Sequence, residues 1–85
     1  MAQVYFIKSI KSNWVYVGST DNLENRLKYH NSGHVRSTQS KRPFILIYVE
    51  EYATMAEAVE REKQIKKSRS IKDSILKQIN IDPIV

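Results

Sequence analysis

Cysteine is missing from the 85-residue chain, which removes both a disulfide framework and any thiolate metal site. Long apolar runs are missing too. Nothing approaches the roughly 18 residues of a membrane span, and the opening Met1-Ala2-Gln3-Val4 does not read as a signal peptide. No internal repeat, low-complexity tract or linker interrupts the chain. These absences leave one small domain over residues 1–85, in a cytoplasmic setting and away from membranes, as the expectation. A chain of this size buries only roughly 60–65% of the surface its unfolded form exposes. On that margin a half-hidden polar side chain needs a reason. Acidic residues are the minority, 9 against 14 Lys and Arg, giving a net charge of +5. That balance leans toward a polyanionic partner, most simply nucleic acid.

What is present organises around residues 15–33. Residues 4–10 read as a strand, with Tyr5, Ile7 and Ser9 on one face and Val4, Phe6 and Lys8 on the other. Lys11-Ser12-Asn13 is turn chemistry, and residues 14–18 form the returning strand of a hairpin. A two-residue turn at Lys11-Ser12 would set Gly18 opposite Tyr5 and Tyr16 diagonal to it. Gly18, without a Cβ, would then leave open space beside both rings. A helix follows, with Asp21 as the expected N-cap and Glu24 three residues on. Gly33 suits its left-handed C-cap. Residues 34–43 make a polar loop carrying Arg36, Lys41 and Arg42. The apolar run over residues 44–49 suggests a strand covered on both faces or central in its sheet. Thr54-Met55-Ala56-Glu57 is a capping box opening a helix whose apolar stripe is Met55, Ala58, Val59 and Ile65. A last helix over residues 70–79 carries Ile71, Ile75 and Ile79, with Lys72 and Lys77 toward solvent. Pro83 marks a fraying tail.

Three side chains break the helical patterns. At about 100° per residue, Arg26 and His30 fall within about 60° of Leu23, on the side that should meet the sheet. Glu62 lies within about 20° of Met55, inside the apolar stripe. Glu57 is explained by its cap and Glu60 lies toward solvent. Two tyrosines, an arginine, a histidine and one glutamate form a coherent set for phosphodiester hydrolysis. The glutamate can hold a hard divalent cation through oxygen. The arginine offers a fork to phosphate, and a phenol or imidazole can take the proton of attacking water.

These residues resemble a GIY-YIG nuclease domain, the module of some homing endonucleases and of the incising subunit of bacterial nucleotide excision repair. Gln3-Val4-Tyr5 stands where that family has GIY, and Tyr16-Val17-Gly18 where it has YIG. The tyrosines are 11 residues apart, and Arg26 follows the second by 10. His30 sits four residues further on, and Glu62 lies in Glu60-Arg61-Glu62-Lys63-Gln64-Ile65. The likeness covers residues 3–67 and is strongest to small stand-alone bacterial members. It implies an α/β (α+β) fold in which a three-stranded antiparallel sheet is flanked by helices. It implies an endonuclease cutting DNA, with DNA repair among the settings, and a single Mg²⁺ or Mn²⁺ on Glu62. Tyr16 would be the general base and Arg26 would hold the scissile phosphate, with Tyr5 and His30 orienting or assisting. Gly18, Ser19, Arg36, Lys41 and Arg42 are the candidate nucleic-acid contacts. The chain departs from the family pattern where Gln3 replaces the first glycine, where Ser19 stands in place of the lysine of repair members, and in having no secure counterpart of a late asparagine that several members use.

Each residue also has an ordinary explanation. Tyr5 and Tyr16 can be strand aromatics, and the Arg26 stem can pack on Leu23. His30 can be a hydrogen-bonded core histidine, with His34 the second functional candidate. Glu62 can pair with Lys66 at i+4. The alternative function is a non-catalytic module of the same fold, holding structured DNA through Arg36, Lys41, Arg42, Lys66, Lys67 and Arg69. In that case cutting or targeting would belong to a partner protein. A third reading is a small interaction domain or dimer without a nucleic-acid role.

Overall fold

The computed structural model describes residues 1–79; the tail at Pro83 lies outside the described residues. Its centre is β1 (Ala2–Ser9), which hydrogen-bonds antiparallel to β2 (Val15–Thr20) on one side and to β3 (Phe44–Tyr52) on the other. The sheet order is β2-β1-β3. Three helices complete the described chain: α1 (Leu23–Ser32), α2 (Met55–Lys67) and α3 (Arg69–Gln78). The fold is therefore α+β, a three-stranded antiparallel sheet flanked by helices.

Alternation along β1 divides the core in two. Val4 and Phe6 join Val15, Val17, Ala58, Ile65, Ile75 and Leu76 on the face covered by α2 and α3. Tyr5 and Ile7 join Phe44 on the opposite face, where Trp14, Tyr16, Leu23 and Leu27 pack against them. Phe6 is fully buried, and truncating such a side chain to Ala costs about 3–5 kcal/mol.

The hairpin has the expected register, with Tyr5 opposite Gly18. Its loop is wider than a two-residue turn, because the last rung is the Ser9 N–H donating to the Trp14 carbonyl at 2.9 Å. The space at Gly18 is not open. A Cβ built there would meet the Tyr5 hydroxyl, lie 2.6 Å from Tyr5 Cζ and 2.9 Å from Tyr16 Cε2. Tyr5 lies directly over the glycine.

Helix α1 starts one residue later than Asp21 suggests. The Thr20 hydroxyl accepts the Asn22 N–H at 3.1 Å, which turns the chain so that Asn22 Oδ1 accepts the Asn25 N–H at 3.2 Å. Asn22 is the N-cap, and Asp21 is exposed. The helix ends as expected at Gly33, with φ 85°. In α2 the Thr54 and Glu57 capping box forms reciprocally, each bond 3.2 Å. Met55 is exposed, however, so the buried stripe narrows to Ala58 and Ile65. In α3, Ile75 and Leu76 are buried and Lys72 is half-buried, not turned to solvent.

The apolar run over residues 44–49 is neither central nor covered on both faces. β3 is an edge strand that continues to Tyr52, and Ile45, Leu46 and Val49 are 48%, 40% and 41% exposed. Helix α1 covers the Tyr5 and Ile7 side of the sheet but leaves their β3 partners, Val49 and Leu46, open.

Candidate active site

Strand β1 aims Tyr5, and β2 aims Tyr16, onto the face beneath α1; their ring centroids are 6.3 Å apart. The 3.6-residue period of α1 then brings Arg26 and His30 down onto both rings. His30 is fully buried, and its ring centroid lies 4.9 Å from that of Tyr16.

Its hydrogen bonds fix the protons. His30 Nδ1 is 2.9 Å from Thr38 Oγ1, and that hydroxyl donates to the Val35 carbonyl at 3.2 Å. Thr38 therefore accepts from His30, which puts the imidazole proton on Nδ1. Nε2 is then an acceptor, and the Tyr5 hydroxyl donates to it at 2.9 Å. The Tyr5 oxygen in turn accepts from Arg26 Nε at 3.3 Å. One directed chain thus runs from Arg26 through Tyr5, His30 and Thr38 to a backbone carbonyl.

The electrostatics agree with that assignment. Burial, with Arg26 adding to it, pulls His30 down to about 4, so the imidazole is neutral near pH 7. Burial pushes Tyr5 up to about 12; Tyr16 and Glu62 add to this and the Arg26 hydrogen bond opposes it. Arg26 is raised above its usual value, chiefly by its bond to Tyr5.

Glu62 reaches this region from the other face, round the exposed edge of β2. Ser19, which points toward α2, donates its hydroxyl to Glu62 Oε1. Lys66 Nζ pairs with Glu62 Oε2 at 2.7 Å and sits 5.2 Å from the Tyr16 ring centroid, within cation–π range. Lys66 so links the carboxylate to the tyrosine. Glu62 is accordingly a partnered carboxylate, about 20% exposed at its side chain.

A model of the GIY-YIG catalytic domain matches residues 1–72. The chain belongs to the GIY-YIG family. A UPF0213 protein of Staphylococcus haemolyticus is 41% identical over 64 residues, covering 74% of this chain and 77% of that one. A UPF0213 protein of Syntrophus aciditrophicus is 38% identical over 76 residues, 86% and 87% of the two chains. The solution structure of the UPF0213 protein BH0048 from Bacillus halodurans superposes with a TM-score of 0.56 at 27% identity, over 92% of this chain and 85% of that chain. GIY-YIG proteins form a nuclease superfamily whose members generally use divalent metal ions.

Within this GIY-YIG domain the structure brings Tyr5, Tyr16, Gly18, Arg26 and His30 together on one face, with Ser19 and Glu62 at its β2 edge. The remaining candidates lie elsewhere. Arg36 is exposed on the loop. Lys41 closes a short 3-10 turn, where its carbonyl accepts the Ser9 hydroxyl at 2.5 Å. The Arg42 guanidinium lies across Gly33 at the C-terminal end of α1, where the helix dipole favours a cation. His34 is exposed and bonded to Ser32. Thr38, which fixes the His30 tautomer, is the residue that sequence reasoning misses. It is an unremarkable loop threonine until the loop folds back against α1.

Metal binding draws on few groups. Among the described residues no cluster of three His, Cys, Asp or Glu forms. The Glu62 carboxylate and the Ser19 hydroxyl are hard oxygen donors at a partly open edge. That donor chemistry fits a cation such as Mg²⁺, which keeps most of its water and takes one or two carboxylates plus substrate phosphate. Lys66 would have to yield its oxygen on Glu62. None of the described helices is long and apolar enough to cross a membrane.

Proposed function

We propose that the chain is a metal-dependent endonuclease that hydrolyses phosphodiester bonds of DNA. The observation that carries the reading is the directed chain from Arg26 to Val35. It commits the Tyr5 proton to His30 and both nitrogens of His30 to protein partners. Of the two phenols, Tyr16 is the half-exposed one outside that chain, flanked by Lys66 and close to Arg26. Tyr16, acting as the phenolate after giving its own proton to solvent, takes the proton of the attacking water. The new P–O bond forms as the bond to the departing strand breaks, and water protonates the departing oxygen. Arg26, its Nε pinned by Tyr5, turns its remaining donors to the non-bridging oxygens, where charge grows in the transition state. Tyr5 and His30 position Arg26 and Tyr16. Glu62, steadied by Ser19, would hold the divalent cation, which when bound supplies positive charge to the phosphate.

The Lys66–Glu62 ion pair favours a second reading. A carboxylate already neutralised by a lysine suits a module of the same fold that binds nucleic acid without cutting it. Glu62→Gln and Glu60→Gln separate the two. Plasmid, branched and single-stranded substrates in Mg²⁺ and Mn²⁺ should be cleaved by wild type and by Glu60→Gln but not by Glu62→Gln. Glu62→Gln should also lose cation affinity, read by Mn²⁺ titration. Equal cleavage and equal Mn²⁺ affinity in the two variants would remove Glu62, and the mechanism with it.

A further inference from the structure

Trp14 and Lys66 both contact Tyr16: the indole stacks at 6.0 Å and 29°, and the ammonium lies over the ring. Both also line a separate cleft of about 410 Å³, together with Lys67, Arg69, Lys72 and Asp73. Of the four cations there, Lys66 is paired with Glu62 at 2.7 Å and Arg69 with Asp73 at 3.9 Å. Among the described residues neither Lys67 nor Lys72 forms an ion pair. Burial lowers Lys72 below its ordinary value; Asp73 opposes this, while Arg69 and Lys66 push the same way. Positive charge is crowded there beyond what the protein neutralises. Ile65 and Leu76 give the cleft apolar lining, and Trp14, the only tryptophan in the chain, lines it as well.

We propose that this cleft holds one unstacked nucleotide of the strand crossing the catalytic face, its base against Trp14 and its phosphates among Lys66, Lys67, Arg69 and Lys72. The inference rests on the nuclease reading above and adds a substrate class: nucleic acid with a single-stranded segment beside the cut. A base within a duplex is already stacked on both faces and presents only its edges. An unpaired base can leave the stack and lie on an aromatic ring, as single-strand binders generally arrange. The ammonium groups suit phosphate by position alone and read no sequence. Continuity through Tyr16 makes the cleft an extension of the site.

The single tryptophan makes the test direct. In EDTA, where no metal-dependent cutting occurs, a short oligothymidylate should quench Trp14 fluorescence, while inorganic phosphate and a blunt duplex of equal length should not. By anisotropy of a labelled oligothymidylate, Trp14→Leu should bind at least about five-fold more weakly and Trp14→Phe should recover most of that loss. Lys67→Gln and Lys72→Gln should each lower the salt slope of binding by about 0.7, whereas Lys63→Gln on the exposed side of α2 should not. Equal quenching by duplex, binding without quenching, or no single-strand binding at low salt would each overturn the cleft. Cleavage assays in Mn²⁺ judge the nuclease reading separately, because a duplex cutter with an empty cleft would pass them.

Discussion

The two faces of the sheet carry polar clusters of nearly the same composition. Beneath α1 are Tyr5, Tyr16, Arg26 and His30; beneath α2 are Tyr48, Tyr52, Arg61 and Glu50. In the second, Glu50 accepts from Tyr48 at 2.6 Å and from Tyr52 at 2.7 Å. It also takes a two-pronged contact from Arg61, at 3.0 and 3.3 Å. Every charge there is answered, and the cluster is closed. The first has an imidazole where the second has a carboxylate. Among the described residues Arg26 forms no ion pair, so its cluster keeps a net positive charge. Two tyrosines and an arginine are neutralised within the protein only where a carboxylate accompanies them.

Removing each arginine should break the comparison most sharply. Arg26→Gln should lower cleavage about 10²–10³-fold, the scale of losing a donor to developing charge, with little change in melting temperature. Arg61→Gln should leave cleavage intact and cost about 2–3 kcal/mol of stability, because Glu50 remains half-buried without its cation. Denaturant melts and cleavage rates of both variants check this, and a swap of the two phenotypes would sink the distinction.

Acid should open the clusters in different windows. His30 binds protons at about 4 when folded, against 6.5 ordinarily. The unfolded chain therefore takes up that proton first as pH falls. The His30 contribution is whole above about pH 6.5 and drains away toward pH 4, up to about 3 kcal/mol. Burial pushes Glu50 up, but bonds from Arg61, Tyr48 and Tyr52 outweigh it and hold the carboxyl below its usual 4.5. Its contribution is present above 4.5 and fails only at lower pH. Stability measured from pH 7 to 3 should fall in two stages, and His30→Gln should erase the upper one.

The smallest contrast is a single hydroxyl. Tyr5→Phe leaves buried His30 Nε2 without its donor and should cost about 1–3 kcal/mol. Tyr48→Phe leaves Glu50 with Tyr52 and Arg61, and should cost under about 1 kcal/mol. Thermal melts of the pair should therefore differ; equal losses would mean that the His30 chain contributes nothing special.

The α1 cluster is legible in the sequence because its parts obey short periods. Alternation puts Tyr5 and Tyr16 on one face, and the helical repeat adds Arg26 and His30. The Glu50 cluster is not legible, since Tyr48, Glu50 and Tyr52 look like the polar end of a strand until Arg61 arrives from α2. Thr38 escapes because its bond to His30 depends on the path of an irregular loop, which no short period reports. The β3 edge is misread because an apolar run reports burial preference and not sheet position. Asp21 yields the cap to Asn22 because Thr20, a strand residue, sets where the helix begins.

The apolar character of β1 on both faces has a cost in alignment. A strand with one polar face cannot slip by one residue without carrying that face into the core. β1 would merely exchange Val4 and Phe6 for Tyr5 and Ile7. The glycine beneath Tyr5 restores the discrimination. A slip of two residues would bring Tyr16 or Thr20 under the ring, where even a Cβ lies too close to Tyr5. Gly18 thus works as a registration mark, admitting one alignment of the hairpin. Zipping that alignment also sets Tyr16 beside Tyr5, so closure of the hairpin brings the two phenols of the site together in the same event.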